Sequence, residues 1–191
     1  MTLKLITGPA SEPLTLPEAK AHLRVTSNAE DALITDQITV VREQCEGVLR
    51  RRKLISQSWQ LTLDDFDDRI TIPMVGVTSI TSIKYDDPNG IEQTIASSDY
   101  VLKNNSDDDP PKIVESNGYT WPDVHDSIDN VRIVFVCGYA NAAAVPAALK
   151  KWMLLQIGHW YNNRESVNIG NIVTRLDYVD SLLDPYRVWG F

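Results

Sequence analysis

Cysteine is scarce in this chain. The two that occur, Cys45 and Cys137, stand far apart and form no CxxC spacing. That excludes a disulfide framework or a cysteine-rich zinc module, and both read as reduced, buried thiols. No stretch approaches the ~18 apolar residues of a membrane span. The opening Met1-Thr2-Leu3-Lys4-Leu5-Ile6 is too short in apolar residues for a signal peptide. These absences lead us to expect a soluble protein of a reducing cytoplasm. Histidine is sparse too: His22, His125 and His159 show no HxxxH or HExxH spacing. A Gly-rich phosphate loop and a GxSxG nucleophile turn are both missing. Cationic charge is in deficit, with 18 Lys and Arg against 26 Asp and Glu and a net charge of −8. Tight nonspecific binding to phosphate backbones needs the opposite sign. An acidic protein can still surround DNA, as a wall to which DNA does not stick.

What is present is ordinary globular material. The 191 residues are 43% hydrophobic and 23% charged, enough for a real core in one domain, with or without a subdomain. Helical signals frame the chain. Thr15-Leu16-Pro17-Glu18 reads as a capping box that opens a short helix ending near Leu23 or Arg24. A longer helix follows, capped by Ser27 or Asn28, with Ile34, Ile38, Val41, Cys45 and Val48 on one face and Leu33 and Leu49 widening the stripe. Arg50-Arg51-Arg52-Lys53 closes it at the negative end of the helix dipole. Pro146 opens a third helix with Leu149, Met153, Ile157 and Trp160 on one face. Asn162 to Asn171 reads as a polar loop. Thr174 caps a last helix, which Pro185 stops.

Between these ends the pattern changes to period two. Residues 59–63, 69–72, 80–85, 91–95, 100–102, 112–114 and 131–136 read as short strands. Asp86-Asp87-Pro88-Asn89-Gly90 predicts a hairpin turn. The fold class is therefore α+β: a small helical bundle (helices near 15–24, 28–50, 146–162 and 174–184) with an inserted antiparallel β subdomain at about 57–140. As domains this gives a helical core of residues 1–55 and 141–191 and a β insertion of residues 56–140.

Candidate chemistry is thin. Asp64-Asp65-Phe66-Asp67-Asp68 lacks the glycine and the distal glutamate of a calcium loop. Asp107-Asp108-Asp109 precedes two prolines and reads as a solvated loop. His159 with Glu165 makes a dyad only on paper, since a helix end intervenes. No catalytic, cofactor-binding or metal-ligating residue is assigned. Two surface features remain. Arg50, Arg51, Arg52 and Lys53 are either a solvated helix end or a patch for a phosphate or an acidic partner. The aromatic tail, Tyr186-Arg187-Val188-Trp189-Gly190-Phe191, docks either on its own core or on a partner protein.

One ordered series runs through nearly the whole chain. It starts with Leu14-Thr15-Leu16-Pro17-Glu18-Ala19-Lys20-Ala21-His22-Leu23-Arg24-Val25 and Asp31-Ala32-Leu33-Ile34. It continues with Cys45-Glu46, Arg52, Gln57-Ser58-Trp59, Ile80-Thr81-Ser82-Ile83-Lys84-Tyr85, Trp121-Pro122 and Gly138-Tyr139. Val145-Pro146, Tyr161-Asn162-Asn163-Arg164-Glu165 and Leu182-Leu183-Asp184-Pro185-Tyr186-Arg187 complete it. This series resembles the head–tail connector, or adaptor, proteins of tailed bacteriophages and related gene-transfer particles. Arg50-Arg51 depart from the Thr-Gly that relatives typically carry before Arg52, and make the local surface more basic.

The resemblance implies a structural virion protein with no cofactor and no enzymatic activity. Its expected partners are the portal protein, a stopper or tail-completion protein, and neighbouring copies in a ring of about 12. Packaged DNA would pass through the channel without specific binding, and no membrane is involved. The expected location is the virion neck, after assembly in the host cytoplasm. By similarity, Tyr186, Arg187, Trp189 and Phe191 are expected to anchor the portal. The rival readings are a nucleic-acid-binding module using Arg50–Lys53 and a metal-dependent hydrolase using Asp64–Asp68 or His159.

Overall fold

The computed structural model describes residues 1–104, 109–163 and 177–188. Its elements run β1 (Thr2–Thr7), α1 (Leu16–Leu23), α2 (Asp31–Leu49), β2 (Gln57–Leu63), β3 (Ile70–Thr71), β4 (Val77–Asp86) and β5 (Glu92–Ile95). After these come β6 (Tyr100–Lys103), β7 (Lys112–Glu115), β8 (Val131–Cys137), α3 (Ala147–Asn162) and α4 (Asp177–Ser181). The α+β class expected from the sequence is what the chain adopts. It divides into two compact units. A β unit joins Met1–Ala10 to Arg51–Tyr139, and a helical unit joins Ser11–Arg50 to Ala140–Phe191.

This division corrects one boundary. The sequence pattern groups residues 1–10 and 51–55 with the helices, but Thr2–Thr7 forms β1 and pairs antiparallel with β2. The reason lies in strand pairing. A six-residue strand at the edge of a sheet gains its stability from a neighbour distant in sequence, which a local pattern does not contain.

In the helical unit, α1 begins as its residues dictate. Thr15 Oγ1 accepts the Glu18 backbone N–H, and Thr15 N–H donates to Glu18 Oε2 at 2.7 Å. Arg24 ends the helix in the left-handed conformation at φ 58°. Neither Ser27 nor Asn28 caps α2. Asn28 Oδ1 instead accepts the Lys20 ammonium at 2.7 Å, and Glu30 stands at the cap position without a side-chain cap. Ile34, Ile38, Val41, Cys45 and Leu49 are buried as the stripe predicts, whereas Leu33 is exposed. Full burial of each such aliphatic side chain is worth about 1.5–3 kcal/mol.

Burial pushes the Cys45 thiol up to about 12, with the Glu46 carboxylate adding to the effect. On α3 the inward aromatic is Trp152 rather than Trp160, beside Leu149, Met153 and Ile157. Helices α1, α2 and α3 pack against one another. Trp152 Nε1 donates to Asp180 Oδ1 at 3.2 Å and ties α3 to α4. Thr174, the expected cap of the last helix, lies outside the described residues.

In the β unit, five strands form a sheet in the order β1-β2-β8-β4-β5, all neighbours antiparallel. Three more form a second sheet, β3-β7-β6. The hairpin predicted at Asp86–Gly90 joins β4 to β5, and Gly90 takes φ +76°. Leu61, Leu63, Ile70, Ile72, Val77, Ile83, Ile113, Val131, Ile133 and Phe135 form one core. Along β8 every second residue is buried, as an alternating strand with one face on the core requires.

Candidate assembly surfaces

The histidines do different local work. His22 lies beside Gly158, on α3, and is half-buried. Burial, with Lys151 nearby, lowers its pKa. His125 donates its backbone N–H to Asp86 O, and its own carbonyl accepts from Asn130 Nδ2. His159 is exposed near the end of α3, while Glu165 lies outside the described residues. Among the described residues no group of three or more His, Cys, Asp or Glu converges in a metal-holding arrangement.

The Arg50–Lys53 run does not form one open cationic face. Arg50 is exposed and caps α2 with a positive φ of 65°, its N–H reaching the Gly47 carbonyl at 3.2 Å. The helix therefore still ends in a tight turn, although Arg50-Arg51 replace the usual Thr-Gly. The Arg51 carbonyl accepts from Val75 N–H, and Arg52 is only 5% exposed. Lys53 Nζ sits 5.0 Å from the centre of the Trp59 ring. At the C-terminus, a single 3₁₀ turn spans Asp184–Tyr186, and Arg187 pairs with Asp184 at 2.9 Å. Tyr186 and Arg187 are half-buried and Val188 is buried. Trp189 and Phe191 lie outside the described residues.

The most strongly charged surface is one that the sequence did not reveal as a unit. Three segments, residues 64–69, 84–92 and 121–132, meet at one end of the five-stranded sheet. They hold ten Asp and Glu against three Lys and Arg, a net −7 out of −8 for the whole chain. Asn130 gathers them: it is 2% exposed, and its amide donates to the carbonyls of Asp64, His125 and Ser127. Asp129 N–H donates to Asp64 Oδ1, and Asp86 N–H to the Asn130 carbonyl. Phe66 stacks on Trp121 with centroids 4.8 Å apart, and Tyr85 and Tyr119 meet this pair edge-on.

Arg132 clamps Asp86 with two bonds, at 2.6 and 2.8 Å, and this holds the Asp86 carboxyl below its ordinary pKa. The Lys84 ammonium does the same for Glu92, and the Ile91 backbone N–H for Asp87. These three carboxylates therefore stay ionised into mildly acidic conditions. The signal in the sequence was the density of Asp in three separate loops; that they meet depends on strand order.

Among the described residues, no helix is long and apolar enough to cross a membrane. The family model of the phage gp6-like head-tail connector protein matches residues 13–116. No curated protein sequence matches the chain. Among solved structures, it is similar to a chain in the neck of an empty gene transfer agent particle computed with C6 symmetry. That match has 24% identity and a TM-score of 0.80, and covers 100% of this chain and 97% of the other. A chain of the native gene transfer agent virion matches equally well, at 24% identity and TM-score 0.80. One in the native neck computed with C12 symmetry matches at 23% identity and TM-score 0.74. At this identity the structural likeness establishes the fold.

Proposed function

The chain belongs to the phage gp6-like head-tail connector family, and from that premise we propose that it is the ring-forming adaptor of a phage-type neck. Copies close into a ring beneath the portal, extend the DNA channel and offer a platform to stopper or tail-completion proteins. The observation that carries this reading is its likeness to a neck chain, a match that covers 100% of this chain and 97% of the other at a TM-score of 0.80. The location that follows is the head–tail junction of a virion, after assembly in the host cytoplasm, and the role is structural rather than catalytic.

Physical features support these parts. A ring subunit needs two different, complementary side surfaces, a heterologous contact that closes by rotation. Net charge of −8 suits a channel that DNA traverses without adhering. In this proposal the helical unit forms part of the ring wall, and the β unit offers surfaces to neighbouring and downstream proteins. Tyr186, Arg187, Trp189 and Phe191 anchor the portal, since aromatic residues and Arg dominate interface energies. The nucleic-acid reading through Arg50–Lys53 gains no support from an arginine as buried as Arg52.

The test is electron microscopy of the full chain mixed with a cognate portal. A stacked ring is expected, and a portal that stays bare beside folded protein would sink the proposal. Truncation after Val188 spares the buried Val188 and removes Trp189–Phe191, so it should weaken docking while the melting temperature holds. Salt-dependent binding of free duplex DNA would favour the rival module instead.

A further inference from the structure

The five-stranded sheet has two outer strands, β1 and β5, each hydrogen-bonded to another strand on one side only among the described residues. They differ in chemistry. All six residues of β1 are exposed. Leu3 pairs with Leu61 and Leu5 with Trp59, so both leucines stand on the core face of the sheet. One cross-strand row runs Leu3, Leu61, Ile133, Ile83, Ile95 through all five strands. In that row Leu61, Ile133 and Ile83 are fully covered and Ile95 is 5% exposed, while Leu3 is 37% exposed. Leu5 beside it is 45% exposed. The core layer is thus left uncovered on the β1 side. An open edge carrying uncovered apolar residues is a template for a further strand.

Charge narrows the occupant. β1 carries Lys4 and no carboxylate, and β2 beside it has no charged residue at all. β5 starts with exposed Glu92, and its turn presents Asp86 and Asp87. Glu92 is held by Lys84 of β4 at 2.6 Å and by Arg132 of β8 at 3.1 Å, so its carboxylate leans back over the sheet, and the three carboxylates against these two cations leave this edge a net −1. Ile91, at the entry to β5, is 58% exposed. The two edges of one sheet are thus complementary: cationic and apolar on one side, anionic with an exposed isoleucine on the other.

We propose that the β1 edge of one copy docks along the β5 edge of the next, so that neighbouring copies join through their sheets. This rests on the ring reading above. Four antiparallel pairings separate β1 from β5, so the two strands run in the same direction. A copy related by a modest rotation therefore presents β1 parallel to β5. Because the contact joins two different edges it repeats from copy to copy, whereas β1 against β1 would stop at a dimer. Docking with Lys4 level with Glu92, and so near Asp86 and Asp87, sets Leu3 beside the exposed Ile91 on the same face of the sheet.

The experiment uses the full chain as an equal mixture of ¹⁴N and ¹⁵N copies, concentrated and treated with a zero-length carboxyl–amine cross-linker. Mass spectrometry then reads the links that join different copies, and electron microscopy reads assembly, alone and on a cognate portal. Links from Lys4 to Glu92, Asp86 or Asp87 are expected. Lys4→Glu and Glu92→Lys should each reduce the assembled fraction about tenfold, and the double charge swap should restore it. Circular dichroism shows whether each variant is folded. Wild-type rings with no such link, and single variants that assemble like wild type, overturn the edge pairing and leave the ring reading standing. Links between β1 strands alone overturn it in favour of a dimer. A wild-type protein that forms no ring in either setting overturns both.

Discussion

Gly138 lies directly against the backbone of Ile55. A Cβ on Gly138 would overlap the Ile55 carbonyl, 2.7 Å from its carbon and closer than real contacts allow, with Ser56 N at a tight 3.1 Å. Gly138 also takes φ +106°, and its N–H donates to the Gly76 carbonyl, while Ser56 N–H donates to Tyr139 O. The Gly138-Tyr139 pair of the sequence pattern is therefore a close crossing of two backbones at the end of β8. Gly138→Ala should destabilise the protein by roughly 2–4 kcal/mol, through steric overlap plus the left-handed backbone. Thermal unfolding measures it; an unchanged melting temperature would refute the crossing.

The Thr15–Glu18 capping box carries a pH dependence with a definite sign. Hydrogen bonds from the Thr15 backbone and side chain, in that order, lower the Glu18 pKa from 4.5, with smaller help from Lys150. A carboxyl with a depressed folded pKa contributes stability above its unfolded value and loses it as pH falls through the folded one. Stability from this cap should thus be complete above about pH 4.5 and fade below it. Thr15→Ala should cost about 1 kcal/mol at neutral pH. The deficit should shrink on acidification, followed by denaturant melts between neutral and strongly acid pH.

Arg42 is a buried cation on α2, 6% exposed, with Glu12 at 2.8 Å and the 4%-exposed Glu46 at 3.8 Å. Arg42→Met removes the cation that Glu12 and Glu46 share and should cost about 1.5–3 kcal/mol, the worth of a hydrogen bond to a charged group. Adding Glu46→Gln should recover part of it. A double-mutant cycle by chemical denaturation checks this, and strict additivity would show that the two side chains are not coupled.

Asn130 organises the acidic end of the sheet with three carbonyls around one amide. Asn130→Asp replaces donors by a carboxylate facing those oxygens, so it should destabilise more than Asn130→Ala. The alanine variant should cost roughly 2–3 kcal/mol from the orphaned buried groups. Hydrogen exchange in residues 121–130 offers a local readout, with faster exchange expected in both variants.

Much of the fold was legible because it is local. The 3.6 period of α2, the Thr15–Glu18 box, the alternation in β8 and the Asn89-Gly90 turn are properties of neighbouring residues, set by short-range sterics and hydrogen bonding. The near-full-length series of family motifs carried the connector reading. Leu33 is exposed and Trp160 only half-buried because one period fits two adjacent stripes of a helix. Only the positions of α1 and α2 in the fold decide which stripe is covered.

What the tertiary structure alone decided is long-range. That Thr2–Thr7 leaves the helical segments to become the edge of a β sheet depends on β2, more than 50 residues away in the chain. That Asp64, Asp86 and Asp129 meet at one end depends on the order β1-β2-β8-β4-β5. That Arg52 is buried while Arg50 is exposed depends on the pairing with Val75. The sequence by itself determined which segments coil, which extend and where they turn. Closure of distant segments, with its entropy cost and its shared core, decided which charges and which apolar rows face outward.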